Sequence, residues 1–152
     1  QAEDGIRASV ASRGLGDVYK RQSLGLAYYP THDFLFALDF DFFTAREEDL
    51  ENVLNYALGA EWFYSPEIAI LGGYFTNNDN RTEPNASSAA GHEKLDMSGI
   101  SWGGSYITDT TAYTAGLIYS WGNGKSNLYG DSDLYTVNKP AISVIYAASA
   151  LY

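Results

Sequence analysis

Three carboxylates stand where chemistry is conceivable. Asp39 and Asp41 alternate with phenylalanines in the stretch Phe34 to Phe43, and Glu61 sits in the string Gly59-Ala60-Glu61-Trp62. Two carboxylates on neighbouring elements are the raw material of general acid–base work, but that work needs a third group to orient them, and the sequence offers none. The other role open to them is electrostatic: lining a water-filled wall, either solvated or paired with basic residues from strands outside this sequence. His32 falls in a turn, and His92-Glu93 with Asp96 falls in a long polar stretch, too few ligands at poor spacing for a metal. Ser87, Ser88 and Ser101 have no histidine partner in view. The chain has no cysteine, hence no disulfide, thiolate metal site or cysteine nucleophile. Catalytic residues, metal and cofactor are therefore not expected, and Asp39, Asp41 and Glu61 are kept as candidate substrate-facing positions.

The elements that must position them are strands. Phe34, Phe36, Leu38, Phe40 and Phe42 form one apolar row, while Leu35, Ala37, Asp39, Asp41 and Phe43 form a row that turns acidic halfway. A period of two is a strand, and roughly 10 residues suffice to cross a bilayer as a tilted barrel strand. The rows read as lipid-facing and water-facing. The same two-sidedness recurs: Leu24, Leu26 and Tyr28 against Gly25, Ala27 and Tyr29; Leu54 to Tyr64 in even steps against Asn55, Ala57, Gly59 and Glu61; Ile70, Gly72 and Tyr74 against Leu71, Gly73 and Phe75. It continues in Ser98 to Ile107, in Thr111 to Trp121, and in Ala141 to Tyr152. Connections alternate between short (30 to 33, 65 to 67, 108 to 110) and long (45 to 53, 76 to 97, 122 to 138), the layout of outer-membrane barrels with the short side periplasmic. Aromatics near strand ends, among them Tyr28, Phe43, Trp62, Tyr64 and Trp121, suit interfacial girdles. The expected fold is all-β: an antiparallel transmembrane β-barrel, here about seven strands of a larger one.

Composition agrees. Tyrosine (13) and glycine (15) suit twisted, girdled strands. No uninterrupted apolar window reaches the length of a membrane-spanning helix. A formal charge of -10 argues against nucleic acid as a partner. Residues 1 to 22 differ from the rest: they hold Arg7, Arg13, Lys20 and Arg21, lack clean alternation, and from Gly14 to Gln22 resemble translated sequencing-adapter DNA. This segment is expected to be non-native or a flexible arm, with residues 23 to 152 forming the barrel part. Neither an initial methionine nor a signal peptide is in view, so the secretory label a barrel needs is expected to lie outside this sequence. Asn80-Arg81-Thr82 and Asn85-Ala86-Ser87 match glycosylation sequons, chance matches in a bacterial protein. Asp131 and Asp133, with the acidic run at 47 to 51, are candidates for holding divalent cations against lipopolysaccharide phosphates.

Three blocks together resemble the FadL-type long-chain fatty acid transporter family of outer-membrane proteins. They are Gly25-Leu-Ala-Tyr-Tyr-Pro-Thr31 followed by Ala37-Leu-Asp-Phe-Asp41; Gly59-Ala-Glu-Trp62 with Leu71-Gly-Gly-Tyr74; and Gly99-Ile-Ser-Trp-Gly-Gly-Ser-Tyr106. The position of Leu71 often carries arginine in that family, and the closing strand here is richer in small residues. The resemblance covers the order of the family's C-terminal half. It implies a Gram-negative outer-membrane channel, present as a fragment of a barrel of about fourteen strands, for passive uptake of long-chain fatty acids or other hydrophobic compounds. Membrane lipid, lipopolysaccharide, an apolar small-molecule substrate and the outer-membrane assembly machinery would be its partners. Two alternatives stand beside it. One is a small complete barrel of about eight strands that uses residues 6 to 20, with a structural or adhesive role. The other is a soluble lipocalin-like binding barrel, which requires an apolar interior and polar exterior.

Overall fold

The computed structural model describes residues 19–45, 50–84, 92–127 and 133–150. These form eight strands: β1 (Tyr19–Thr31), β2 (Phe34–Ala45), β3 (Val53–Ser65), β4 (Ile68–Asn77), β5 (His92–Ile107), β6 (Thr111–Asn127), β7 (Tyr135–Asn138) and β8 (Ala141–Ala150). Each of β1 to β6 pairs antiparallel with its neighbours in sequence, and β7 and β8 both lie along the far edge of β6. At the junction of these last two, the Lys139 N–H donates to the Gly122 carbonyl at 2.9 Å and the Gly122 N–H to the Lys139 carbonyl at 3.1 Å. Pro140 follows, with no N–H to continue the ladder. β7 and β8 are thus two halves of one strand position, and the sheet is all-β and antiparallel as the alternation predicts. It is open: among the described residues β1 does not pair with β7 or β8.

The register keeps like with like. Residues directly opposed in an antiparallel ladder share a face, and one apolar row crosses the whole sheet through Leu26, Leu38, Leu58, Tyr74, Ile100, Tyr119 and Ile142. The other face carries Ser23, Asp41 and Asn55 in one line and Gly25, Asp39 and Ala57 in the next. The two faces are not equally accessible. Along β3 the exposed positions are Leu54, Leu58, Ala60, Trp62 and Tyr64, while Asn55, Ala57, Gly59, Glu61, Phe63 and Ser65 between them are shielded. Size is not the reason, since Gly59 is shielded and Ala60 beside it exposed. A flat sheet would expose both faces alike; a curved one splays side chains on its convex side and crowds them on its concave side. The apolar row is therefore convex and the carboxylates are concave.

Among the described residues of the strands the only buried hydrophobic side chain is Ala69, Pro84 being buried outside them. Leu58 is 47% exposed, Trp102 49% and Val144 77%. A soluble domain of this length buries its large apolar residues against one another, and the described residues form a single sheet with no second layer over it.

Several boundaries differ from the sequence reading. β1 begins at Tyr19, so residues 19 to 22 lie in the sheet, with Tyr19 opposite Ala45. The stretch 76 to 97 is not all excursion: β4 runs to Asn77 and β5 starts at His92. Likewise β6 continues to Asn127 and β7 occupies Tyr135–Asn138, inside the expected loop 122 to 138. The β5–β6 ladder extends past its last contact with β4, at Met97, as far as His92 opposite Asn127. Backbone hydrogen bonds hold that extension without an apolar row, so periodicity does not reveal it.

Candidate functional site

All three expected carboxylates lie on the concave face, and the β1–β2 pairing brings two of them onto neighbouring lines. The β1–β2 register sets Ser23 opposite Asp41 and Gly25 opposite Asp39. Arg21 donates to Asp41 through Nε at 3.1 Å and Nη2 at 2.8 Å, and Ser23 Oγ donates at 2.5 Å. The Arg21 guanidinium also lies 5.4 Å from the centre of the Phe43 ring. Asp41 is therefore an anchored, neutralised partner in a bidentate pair, an arrangement unsuited to a proton-transferring base. Asp39 stays exposed over Gly25, where a Cβ would stand 2.7 Å from its Oδ1. Glu61 is opposite Leu35 and Leu71. It lies four residues along β3 from the level of Asp39, about 13 Å at the rise of a strand, so the three do not converge.

Between these groups the concave wall is nearly bare. Ala37, Gly59, Gly73 and Ser101 follow one another across β2 to β5, and Leu71, Gly103 and Gly116 follow one another across β4 to β6 on the next line of that face. A shallow cavity of about 260 Å³ lies there, lined by Leu35, Ala37, Gly59, Glu61, Leu71 and Ser101. Its lining is apolar with one carboxylate at the side, which suits a passing amphipathic molecule better than a bound and reacting one.

At the long-connection end the chain after β4 folds into a strap. Asn55 is buried; its Nδ2 donates to the Asn78 carbonyl at 3.2 Å and its Oδ1 accepts the Asn78 N–H at 2.6 Å. The Glu51 N–H donates to the Asn80 carbonyl at 2.7 Å, beside the Leu50–Arg81 bridge. Ion pairs tie the strap and its neighbours to the sheet: Glu51 to Lys94 at 2.7 Å, Glu83 to Lys125 at 2.7 Å and Glu93 to Lys139 at 2.6 Å, with Asp79 paired to Arg81. Lys94 and Lys125 are directly opposed in the β5–β6 ladder, a repulsive arrangement that the two glutamates offset.

Partial burial pushes the Asp79 carboxyl up, but the Arg81 side chain and the Arg81 and Leu95 backbone outweigh it and leave it below its usual range. The Lys125 ammonium likewise lowers Glu83. A carboxylate with a depressed folded pKa stabilises above its unfolded value, near 4, and loses that contribution as pH falls through the folded one. Proteolysis of the segment 78–84 is thus expected to be slow from neutral pH down to about 5 and to accelerate below about 4. A rate independent of pH across that span would show that these pairs do not hold the strap.

Of the remaining sequence candidates, His32 is exposed in the β1–β2 turn, and Ser101 is half-buried opposite Gly73 and Ile118. Glu93 and Asp96 belong to β5 and not to a loop; Asp96 accepts the Asp79 N–H at 2.9 Å. Asp133 is exposed, while Asn85, Ser87, Ser88, Asp131 and residues 47 to 49 lie outside the described residues. No group of three metal-ligating side chains is found among the described residues. Sequence reading missed Arg21, placed in the segment taken as foreign to the barrel. It also missed Lys94, Lys125 and Lys139, whose only signal is that charge replaces the apolar row beyond Trp121 and Ser98. No protein-family model, curated protein or solved structure matches the chain.

Proposed function

We infer that this sheet is a wall segment of a bacterial outer-membrane barrel that passively admits long-chain fatty acids or similar apolar solutes. The observation that carries the membrane reading is the convex apolar row, unbroken from Leu26 to Ile142, in a sheet whose only fully buried apolar residue among those described is Ala69. Hydrocarbon is the solvent that makes such a face stable. The lipocalin-like alternative needs the opposite arrangement, because its interior would have to be apolar, and here Arg21, Ser23, Asp39 and Asp41 share the concave side. The solute class rests on the resemblance of the three glycine–aromatic blocks and on the concave wall, which is bare and largely apolar around Leu35, Leu71 and Gly103. The mechanism is partition and diffusion along that wall, with no covalent step.

The test is growth on a C16 fatty acid as sole carbon source, in a Gram-negative host lacking its own long-chain fatty acid channel and carrying the intact gene. Restored growth is the expected result, with Asp39→Asn retaining it. Failure to grow with the protein correctly inserted in the outer membrane would remove the fatty-acid reading and leave only a structural barrel.

A further inference from the structure

We propose that the concave side holds a second site at its long-connection end, an asparagine-lined pocket for one neutral sugar ring, separate from the bare wall around Gly59 and Leu71. It does not depend on which solute passes that wall or on what covers the convex face.

The pocket has a volume of about 250 Å³ and lies between the ends of β2 to β5 and the strap. Phe43 follows Asp41 on the same face of β2, Asn55 is opposite Asp41, Asn77 is opposite Met97, and Leu95 precedes Met97 by two residues. Register therefore turns Phe43, Asn55, Asn77 and Leu95 to the concave side. Phe43 and Leu95 make an apolar wall, and the Arg21 guanidinium, 5.4 Å from the centre of the Phe43 ring, steadies it. The strap supplies the rest of the lining with Asn78, Asp79 and Asn80. Pockets for drug-sized ligands run from roughly 300 to 1,000 Å³, so this one suits a single ring.

The fold uses the backbone of the strap and leaves its amides over. Asn55 takes both the N–H and the carbonyl of Asn78, the Asn80 carbonyl accepts the Glu51 N–H, and the Asp79 N–H donates to Asp96. The Asp79 carboxylate is also committed, accepting from the Arg81 N–H at 3.1 Å and from the Arg81 side chain. By contrast, the side chains of Asn77, Asn78 and Asn80 make no hydrogen bond among the described residues. Asparagines in connections ordinarily bond nearby backbone and so fix a turn; in this segment Asp79 does that and the asparagine side chains do not. Asn78 and Asn80 are half-buried, so their amides give up part of their water without a protein partner in return, a cost that bonds to a ligand would offset.

The chemistry of the lining selects the ligand. A side-chain amide donates and accepts, as a sugar hydroxyl does, and an apolar wall meets the C–H face of a pyranose ring. An anion would meet no lysine or arginine in the lining and would face Asp79. A metal ion would find a single carboxylate there, already held by Arg81.

The full chain in micelles of lauryldimethylamine oxide, a detergent without sugar, is titrated calorimetrically with the methyl α-glycosides of glucose, mannose and galactose, and with glucuronate and glucosamine as charged comparisons. At least one neutral glycoside is expected to bind saturably, and the charged sugars at least about tenfold more weakly. Asn77→Ala and Asn80→Ala are each expected to weaken binding by about fivefold to tenfold, with protection of segment 78–84 from protease unchanged, since neither side chain holds the strap. A trisaccharide of the same hexose separates the sources: equal affinity assigns the pocket to a free sugar, tighter binding to the end of a glycan. Absence of binding by every neutral glycoside while the strap stays protected, equal binding of glucuronate, or unchanged affinity in both alanine variants would overturn the proposal. None of these results bears on growth with a fatty acid, which tests the wall.

Discussion

Leu38→Arg is expected to destabilise the sheet in lipid by about 2 to 4 kcal/mol, while Asp39→Asn, its immediate neighbour, is expected to change stability by less than about 0.5 kcal/mol. Leu38 lies in the convex row between Leu26 and Leu58, near the middle of β2; on the membrane reading proposed above, a guanidinium there would sit near the bilayer midplane. Asp39 points to the concave face, and an amide there replaces one solvated group by another. The contrast is specific to the solvent on the convex side: with water there, arginine in place of leucine would be close to neutral. Urea unfolding in phosphatidylcholine vesicles reads both variants, and equal tolerance at the two sites would count against the assignment of faces.

Gly103→Ala is expected to cost about 1 to 3 kcal/mol, and Gly72→Ala to be neutral or slightly stabilising. The two glycines sit on facing strands, but a Cβ on Gly103 would stand 2.6 Å from the Ala115 carbonyl oxygen and 3.0 Å from Gly116 Cα. Both are backbone atoms of β6, and yielding to the methyl would strain the β5–β6 ladder. At Gly72 the nearest atom is the Ser101 carbonyl oxygen at 3.9 Å, ordinary contact. Removing a glycine there also narrows the unfolded ensemble, worth about 0.4 to 1 kcal/mol where the native backbone accepts alanine. The same unfolding assay separates them, and a loss at Gly72 matching that at Gly103 would show that close strand approach is not what Gly103 serves.

The strands that cross the convex row were legible because an apolar face backed by a small or polar one imposes a strict period of two on them. Phe34 to Phe42 against Asp39 and Asp41 shows the two faces in a single segment, and the register then follows from matching rows. Where the chain leaves that row the constraint disappears. His92 to Met97 and Gly122 to Asn127 are strands paired through their backbones beyond the apolar row, and their side chains Glu93, Lys94, Asp96 and Lys125 look like loop composition. The strap was illegible for a related reason: the partners of Glu51, Glu83 and Glu93 are distant in sequence, and nothing local marks them. Arg21 was hidden by its surroundings, since the string from Gly14 to Gln22 carries no alternation. Asp39, Asp41 and Glu61 were read as sharing one face, and only the register shows that Glu61 stands opposite Leu35, at a different level of the sheet from Asp39 and Asp41.

The three tryptophans test the central claim most directly. Trp62, Trp102 and Trp121 all lie on the convex row, opposite Phe34, Leu117 and Ser98 respectively. Single-tryptophan variants, the other two changed to phenylalanine, are reconstituted in vesicles containing lipid brominated on its acyl chains. Each is expected to be quenched by the brominated lipid and shielded from aqueous iodide, whereas a tryptophan placed on the concave face by Ala57→Trp escapes the brominated lipid. Quenching by iodide and indifference to brominated lipid at Trp62, Trp102 and Trp121 would contradict the account, because the apolar row would then face water.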